Sequence, residues 1–250
     1  MSNSLKWCFA LPLTYVVYLV LSIILPQGGL IAASLRYLVI IAVFLVVCRK
    51  FLDFDVKLFF FKTGERFSFK RFFSGLFLMA GILVLLTLAR MLIRPETFVF
   101  TFDPSHLYEW FFSLVLVFLA ALAEELMFRA YVAHFAATGK PVVWKAVLAS
   151  SVLFAVAHFQ NPEVQAHAVE SMVFYFVFGA VLMLYYLKDG SIEFPLGLHI
   201  GNNLVAAWFV TYPTAALHTN ALFTAPQSAV EEYVACAVLL VLVLVRPSDR

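Results

Sequence analysis

Charged residues are scarce in this chain. Only 13% of its 250 residues are Asp, Glu, Lys or Arg, and 64% are hydrophobic, whereas a soluble domain is about 25% charged. The low charge content excludes an ordinary soluble domain, and the net charge of +2 provides no basic field that would attract nucleic acid. The composition predicts a polytopic membrane protein that has the lipid bilayer as its surroundings and no nucleic-acid partner.

Cysteine is also scarce. The three cysteines, Cys8, Cys48 and Cys236, lie far apart in apolar runs and form no C-x-x-C pair. This spacing argues against a disulfide framework and favours small buried side chains. The apolar run Trp7–Leu25 follows Lys6, but no small-residue cleavage site comes directly before "PQGG". We therefore interpret this run as a retained first span and not as a signal peptide.

Long hydrophobic runs, by contrast, are abundant. A bilayer core about 30 Å thick requires roughly 20 apolar residues per helix. Eight runs approach or exceed this length, and charged or turn-forming segments separate them: Trp7–Leu25, Leu30–Cys48, Phe72–Ile93, Leu107–Ala137, Val142–Phe159, His167–Leu187, Leu196–Tyr212 and Val230–Val245. Because no repeat or long linker divides the chain, we predict a single all-α domain over residues 1–250. It would have about eight transmembrane helices around a buried polar cavity.

The distribution of Lys and Arg predicts the orientation of these helices. With the N-terminus inside, 13 basic residues lie on the cytoplasmic side, and three, Arg36, Arg90 and Arg94, lie on the other. Cytoplasmic loops carry the excess of positive charge in membrane proteins. We therefore expect a multi-pass protein of the cell (inner) membrane with both termini in the cytoplasm.

Three ionisable residues interrupt the fourth run, in "AALAEELMFRAYV". Such groups are costly at membrane depth, and they indicate a functional site by default. Glu125 and Arg129 are four residues apart, which favours a charge-assisted pair on one helix face. Glu124 is rotated about 100° from Glu125. The two carboxylates should therefore have different surroundings, one structural and the other free for chemistry.

Two further motifs carry histidine. "LFAVAHF" places Phe154 and His158 at i and i+4, and "GLHIGNNLV" places His199 and Asn203 at the same spacing, so each pair shares a helix face. A carboxylate, a histidine and a histidine–amide pair are groups that could activate water and stabilise an oxyanion. We find no convincing serine or cysteine nucleophile in these motifs.

Two other interpretations are open. The polar groups could lock helices together in a non-enzymatic scaffold, immunity factor or transporter, since membrane helices use polar residues as glue. Alternatively, two histidines and carboxylates are zinc ligand types, as in a zinc-dependent membrane protease. The usual H-E-x-x-H helix of such enzymes is absent from the sequence.

The three motifs together resemble those of the CPBP family, named for CAAX proteases and bacteriocin-processing enzymes. "EELMFR", "FAVAH" and "HIGNN" are similar to its E-E-x-x-x-R, F-x-x-x-H and H-x-x-x-N motifs, within a core over residues 107–212. The family includes the type II CAAX prenyl endopeptidase, an eight-span intramembrane glutamate protease. A bacterial branch associated with exosortase protein-sorting systems also resembles this layout.

The resemblance implies roles for seven residues. Glu124 would be the general base, His158 its partner in activating water, and His199 and Asn203 the oxyanion donors. The supporting residues would be Glu125, Arg129 and Phe154. It implies an endopeptidase that cleaves a membrane-associated peptide or protein, with no cofactor or metal. One difficulty is depth, because the predicted boundaries place His199 near the start of its span. We expect the seventh helix to start deep, with residues 188–198 dipping into the protein.

Some polar residues lie outside these motifs. Arg90 and Arg94, at i and i+4 near the outer end of the third run, could anchor the helix by snorkelling or could meet anionic lipid or a substrate carboxylate. Glu170, near the outer end of the sixth run, could make a local polar contact or line a channel. Snorkelling for the arginines and a local contact for Glu170 are the simpler interpretations.

Overall fold

A computed structural model of the chain describes residues 12–13, 16–17, 20, 23–24, 29–51, 67–137, 143–159, 161–211, 220–226 and 229–245. Most of the predicted first span lies outside the described residues. The helices, in chain order, are α1 (Gly29–Phe51), α2 (Phe69–Ile93), α3 (Leu107–Glu125), α4 (Val132–Ala137), α5 (Val143–His158), α6 (Pro162–Ala166), α7 (Ala168–Asp189), α8 (Glu193–Leu204) and α9 (Ala229–Val245). The all-α prediction is confirmed.

Four of the described helical stretches are long and apolar enough to cross a membrane, by length and composition. They are Gly29–Lys50, Phe69–Ile93, Pro104–His134 and Ala168–Asp189, and Val143–His158 is a shorter apolar helix. The multi-pass architecture therefore agrees with the sequence. The total of eight spans stays a prediction.

Two predicted spans are not continuous α-helices. The run Leu107–Ala137 contains a π-helical turn, Leu126–Tyr131, between α3 and α4. The run Leu196–Tyr212 begins earlier, at Glu193, and α8 passes through a second π-helical turn, Val205–Phe209, into a strand. π-helical turns are rare and frequent at functional sites, and the first of these directly follows the two glutamates.

The only β-structure in the described residues is a three-stranded sheet of two-residue strands. β1 (Val99–Phe100) pairs antiparallel with β3 (Phe223–Thr224), which pairs parallel with β2 (Val210–Thr211). Nearby, the side chain of Asn220 accepts a hydrogen bond from the Asp103 backbone N–H at 2.7 Å and donates one to its carbonyl at 2.6 Å. These bonds tie together segments that are distant in the chain.

Backbone-to-backbone packing joins α2 and α8. A Cβ atom on Gly75 would overlap the Phe194 carbonyl oxygen, and one on Gly197 would overlap the Phe72 carbonyl oxygen. A third glycine, Gly201, lies four residues after Gly197, and small residues at this spacing let membrane helices approach closely. His199 lies between Gly197 and Gly201 in the sequence. The close contact between the two helices therefore fixes the position of His199 relative to α2.

The start of α8 is enclosed by protein, whereas Gly190, within the segment predicted to dip into the protein, is exposed. Every residue from Ser191 to Gly201 is buried. Gly190 caps the C-terminal end of α7 with a left-handed φ of 66°, a conformation that glycine adopts at little cost. The Ser68 backbone N–H donates to the Glu193 carboxylate at 3.1 Å, so α8 begins level with the first turn of α2.

Candidate active site

Glu124 lies where three helices meet. It is the penultimate residue of α3, and its Oε2 lies 3.7 Å from Nε2 of His158, the last residue of α5, and 3.5 Å from Nε2 of His199 on α8. The side chain of Glu124 retains 16% exposure, and its Oε2 has no hydrogen-bond partner among the described residues. Three residues that are far apart in the sequence therefore converge around one carboxylate oxygen.

Glu125 occupies a different environment, although it is the next residue. Its side chain is fully buried, and its Oε1 lies 2.8 Å from Nδ1 of His199. A carboxylate can only accept, so the imidazole nitrogen donates this bond. The other oxygen, Oε2, lies 3.4 Å from Nε of Arg129, in the i, i+4 pair that the sequence predicts. The two glutamates therefore approach opposite nitrogens of the same imidazole ring.

Arg129 is fully buried in the π-helical turn. Its guanidinium carbon lies 4.2 Å from the centroid of the Phe154 ring, and none of its nitrogens has a hydrogen-bond partner in the described part of the chain. Charge attraction from Glu125 and the face of the aromatic ring stabilise this cation. Phe154 thus supports the arginine, in addition to lying one turn before His158.

Two contacts orient the ring of His158. Its Nδ1 donates to the carbonyl oxygen of Phe154 at 2.8 Å, which directs Nε2 towards Glu124. The ring also stacks on Tyr175 of α7, with the centroids 3.9 Å apart and the planes 19° apart. The sequence reasoning missed Tyr175. No local spacing signals this contact, because it joins two helices. Phe178, three residues after Tyr175, likewise packs on the site, with its ring centroid 5.7 Å from that of His199 and the two planes at 86°.

Asn203 is placed differently from the other predicted residues. It lies on α8, one turn beyond His199, and its Oδ1 accepts a hydrogen bond from Asn202 at 3.1 Å. Its polar contact among the described residues is therefore with a neighbour on its own helix. The other six predicted residues form one contiguous cluster.

The arrangement of these side chains bears on the metal alternative. The described residues hold no group of three or more His, Cys, Asp or Glu side chains arranged to bind a metal ion. The zinc alternative from the sequence is decided by experiment, as described below.

Comparison with known proteins finds a family that the segment around this cluster resembles. Residues 106–205 match the family model described as "Type II CAAX prenyl endopeptidase Rce1-like". This part of the chain is therefore similar to the Rce1-like family. The matched segment contains all three motifs, so the expected resemblance to CAAX proteases is confirmed.

A curated relative also matches the chain. It is 30% identical over 152 residues to the uncharacterized protein YyaK of Bacillus subtilis (strain 168), across 59% of this chain and 50% of the relative. The chain thus spans about half the length of that relative. No solved structure matches the chain.

Proposed function

We propose that the protein is an intramembrane endopeptidase that hydrolyses a peptide bond of a membrane-associated substrate with water activated by Glu124. The observation that carries this proposal is the position of the Glu124 carboxylate: the side chain is 16% exposed, and its Oε2 lies within 4 Å of Nε2 of both His158 and His199. A carboxylate that acts as a general base must be accessible to water. A carboxylate that only holds helices together is typically buried and paired with a cation.

The first step is the attack of water. Because Nδ1 of His158 donates to a backbone carbonyl, Nε2 of the neutral ring carries a lone pair that faces Glu124. A water molecule between these two acceptors would donate one hydrogen bond to each of them. Glu124 takes its proton as the water oxygen bonds to the scissile carbonyl carbon, and the carbonyl oxygen becomes an oxyanion. The same proton then passes to the amide nitrogen as the C–N bond breaks.

The oxyanion requires hydrogen-bond donors directed at the carbonyl oxygen. Since Asn203 Oδ1 already accepts from Asn202, its Nδ2 group is the side of the amide left to donate. Because Nδ1 of His199 already donates to Glu125 at 2.8 Å, His199 can donate from Nε2 only in the form in which both ring nitrogens carry protons. Glu125 therefore acts through His199, and Arg129 in turn balances the charge of Glu125.

Glu124→Gln is the decisive variant, because glutamine keeps the size and polarity of the side chain and removes the base. We expect loss of cleavage by about 10²-fold or more with unchanged folding. Terminal peptides of membrane proteomes should be compared between cells with the wild-type chain and cells with Glu124→Gln. The matched control is Glu109→Gln, on the same helix and outside the cluster. Termini that disappear only in Glu124→Gln support the proposal, and identical termini in all three strains refute it.

A chelator separates this mechanism from zinc catalysis. Cleavage by purified protein in nanodiscs should persist after treatment with a strong zinc chelator, since the proposed base is a side chain. Activity that the chelator abolishes and zinc restores would replace the glutamate mechanism with a metal-dependent one.

A further inference from the structure

A cavity lies away from the Glu124 cluster. It has a volume of about 710 Å³, and it is found where α2 ends and α7 and α9 begin. Ligand-binding cavities commonly measure about 300–1,000 Å³. None of the seven residues assigned to catalysis lines it, so a ligand here would be separate from the peptide substrate.

The walls of this cavity are apolar and face outwards. Among the lining residues, Ile93 is 78% exposed and Val230 is 68% exposed. α2 and α7 are both long and apolar enough to span a membrane, so this cavity lies at the edge of the bilayer. Exposed aliphatic side chains at that level contact the acyl chains of lipids.

One of the two arginines in the cavity is already neutralised. Nε of Arg90 lies 2.9 Å from the Glu231 carboxylate, and the guanidinium carbon lies 4.7 Å from the centroid of the Phe98 ring. Arg90 also donates to the Pro226 carbonyl at 3.4 Å. These contacts make Arg90 a structural link between the end of α2 and the start of α9.

The other two charged lining residues have no such partner. Arg94 and Glu170 are exposed, line the same cavity and carry opposite charges. Within the described part of the chain, neither side chain forms an ion pair, and they do not pair with each other. A ligand that carries both a negative and a positive group would satisfy both residues.

We propose that this cavity binds a zwitterionic phospholipid of the ethanolamine type. Its phosphate would pair with Arg94, its primary ammonium would donate to Glu170, and an acyl chain would lie along the apolar wall. Guanidinium groups bind phosphate oxygens well. A carboxylate gains hydrogen bonds from a primary ammonium, which has donors. The trimethylammonium of a choline lipid has none, and an anionic glycerol lipid offers Glu170 no cation.

Lipid binding to the purified full chain tests this proposal. Native mass spectrometry in detergent should use an equal mixture of dioleoyl phosphatidylethanolamine, phosphatidylcholine and phosphatidylglycerol. We expect wild type to prefer the ethanolamine lipid by about threefold to fivefold, the size of one exposed ion pair. Glu170→Gln should remove the preference over the choline lipid, and Arg94→Gln should weaken binding of all three lipids.

Control variants and a soluble competitor make the test decisive. Arg36→Gln and Glu109→Gln remove charges of the same types outside the cavity, and they should retain the wild-type preference. Equal binding of ethanolamine and choline lipids to wild type, or an unchanged preference in Glu170→Gln, would overturn the proposal. So would displacement of the lipid by equimolar glycerophosphoethanolamine, because the ligand would then be a soluble headgroup.

Discussion

Glu124 and Glu125 are adjacent in the chain and have different chemical environments. The side chain of Glu125 is fully buried between Arg129 and His199, whereas the side chain of Glu124 is 16% exposed. Adjacent helical residues point about 100° apart, and this rotation aims one carboxylate at the protein interior and the other at accessible space. The proposed mechanism needs this difference, because a base must meet water and a supporting carboxylate must not.

Glu125→Gln should destabilise the protein more than Arg129→Ala does. In Glu125→Gln, Arg129 stays charged and fully buried without its carboxylate, and breaking a buried pair in this way costs about 3–5 kcal/mol. In Arg129→Ala, Glu125 can take up a proton and still bond to His199. Melting temperatures in detergent should therefore fall in the order wild type, Arg129→Ala, Glu125→Gln.

The same three proteins should be assayed for peptide cleavage alongside Glu124→Gln. A fully stable but inactive Glu125→Gln, together with an active Glu124→Gln, would show that the two glutamates have the exchanged roles.

Local spacing predicted only part of this cluster. The pairing of Glu125 with Arg129 and the shared face of Phe154 and His158 follow from the i, i+4 geometry of a helix. The bond between Glu125 and His199 and the stacking of Tyr175 on His158 join different helices. Such contacts depend on how helices pack, and no local periodicity encodes them.

At the scale of elements, the contact between α2 and α8 positions the site. α8 carries His199 between two glycines, and Gly75 of α2 receives the α8 backbone. Hydrophobic runs predicted that both helices exist. The lengths of those runs did not predict the starting residue of α8 or the π-helical turns, because packing and not hydropathy decides where a helix changes its hydrogen-bond pattern. The G-x-x-x-G spacing around His199 was the available signal.

Gly75→Ala should disrupt this contact. A methyl group at this position would overlap the Phe194 carbonyl oxygen, which belongs to backbone and cannot rotate away, so the helices must separate. Overpacking of this kind costs about 1–3 kcal/mol or more. Because His199 would move with α8, cleavage should fall together with the melting temperature.

Gly81→Ala is the matched control for that variant. It lies on the same helix, and a Cβ atom there meets nothing within 4 Å. Alanine is the better helix former by up to about 1 kcal/mol, so Gly81→Ala should be neutral or stabilising and fully active. Equal melting temperatures for the two alanine variants would show that α2 and α8 are not in backbone contact.

At the scale of the whole molecule, the structure sorts charged residues between the two ends of the bundle. Arg90, Arg94 and Glu170 lie at the end where α2 finishes and α7 begins, and Lys188 lies at the opposite end of α7, where it donates to the Val243 carbonyl oxygen. The excess of Lys and Arg in the sequence predicts that the Lys188 end is cytoplasmic. The Glu193 end of α8 would then also be on the cytoplasmic side, with its first residues enclosed by protein.

Single-cysteine labelling tests both the orientation and the enclosure. In a chain whose native cysteines are replaced, Ser105→Cys should react with a membrane-impermeant maleimide in intact cells, since Ser105 is exposed and lies at the outer end. Lys145→Cys, exposed near the start of α5, should react only after permeabilisation. Ser191→Cys should react in neither case until the protein is denatured, because Ser191 is 1% exposed. Labelling of Lys145→Cys but not Ser105→Cys in intact cells would reverse the orientation. Labelling of Ser191→Cys in the folded protein would mean that the segment before α8 is open to water. The packing described here for the start of α8, which positions His199, would then be wrong.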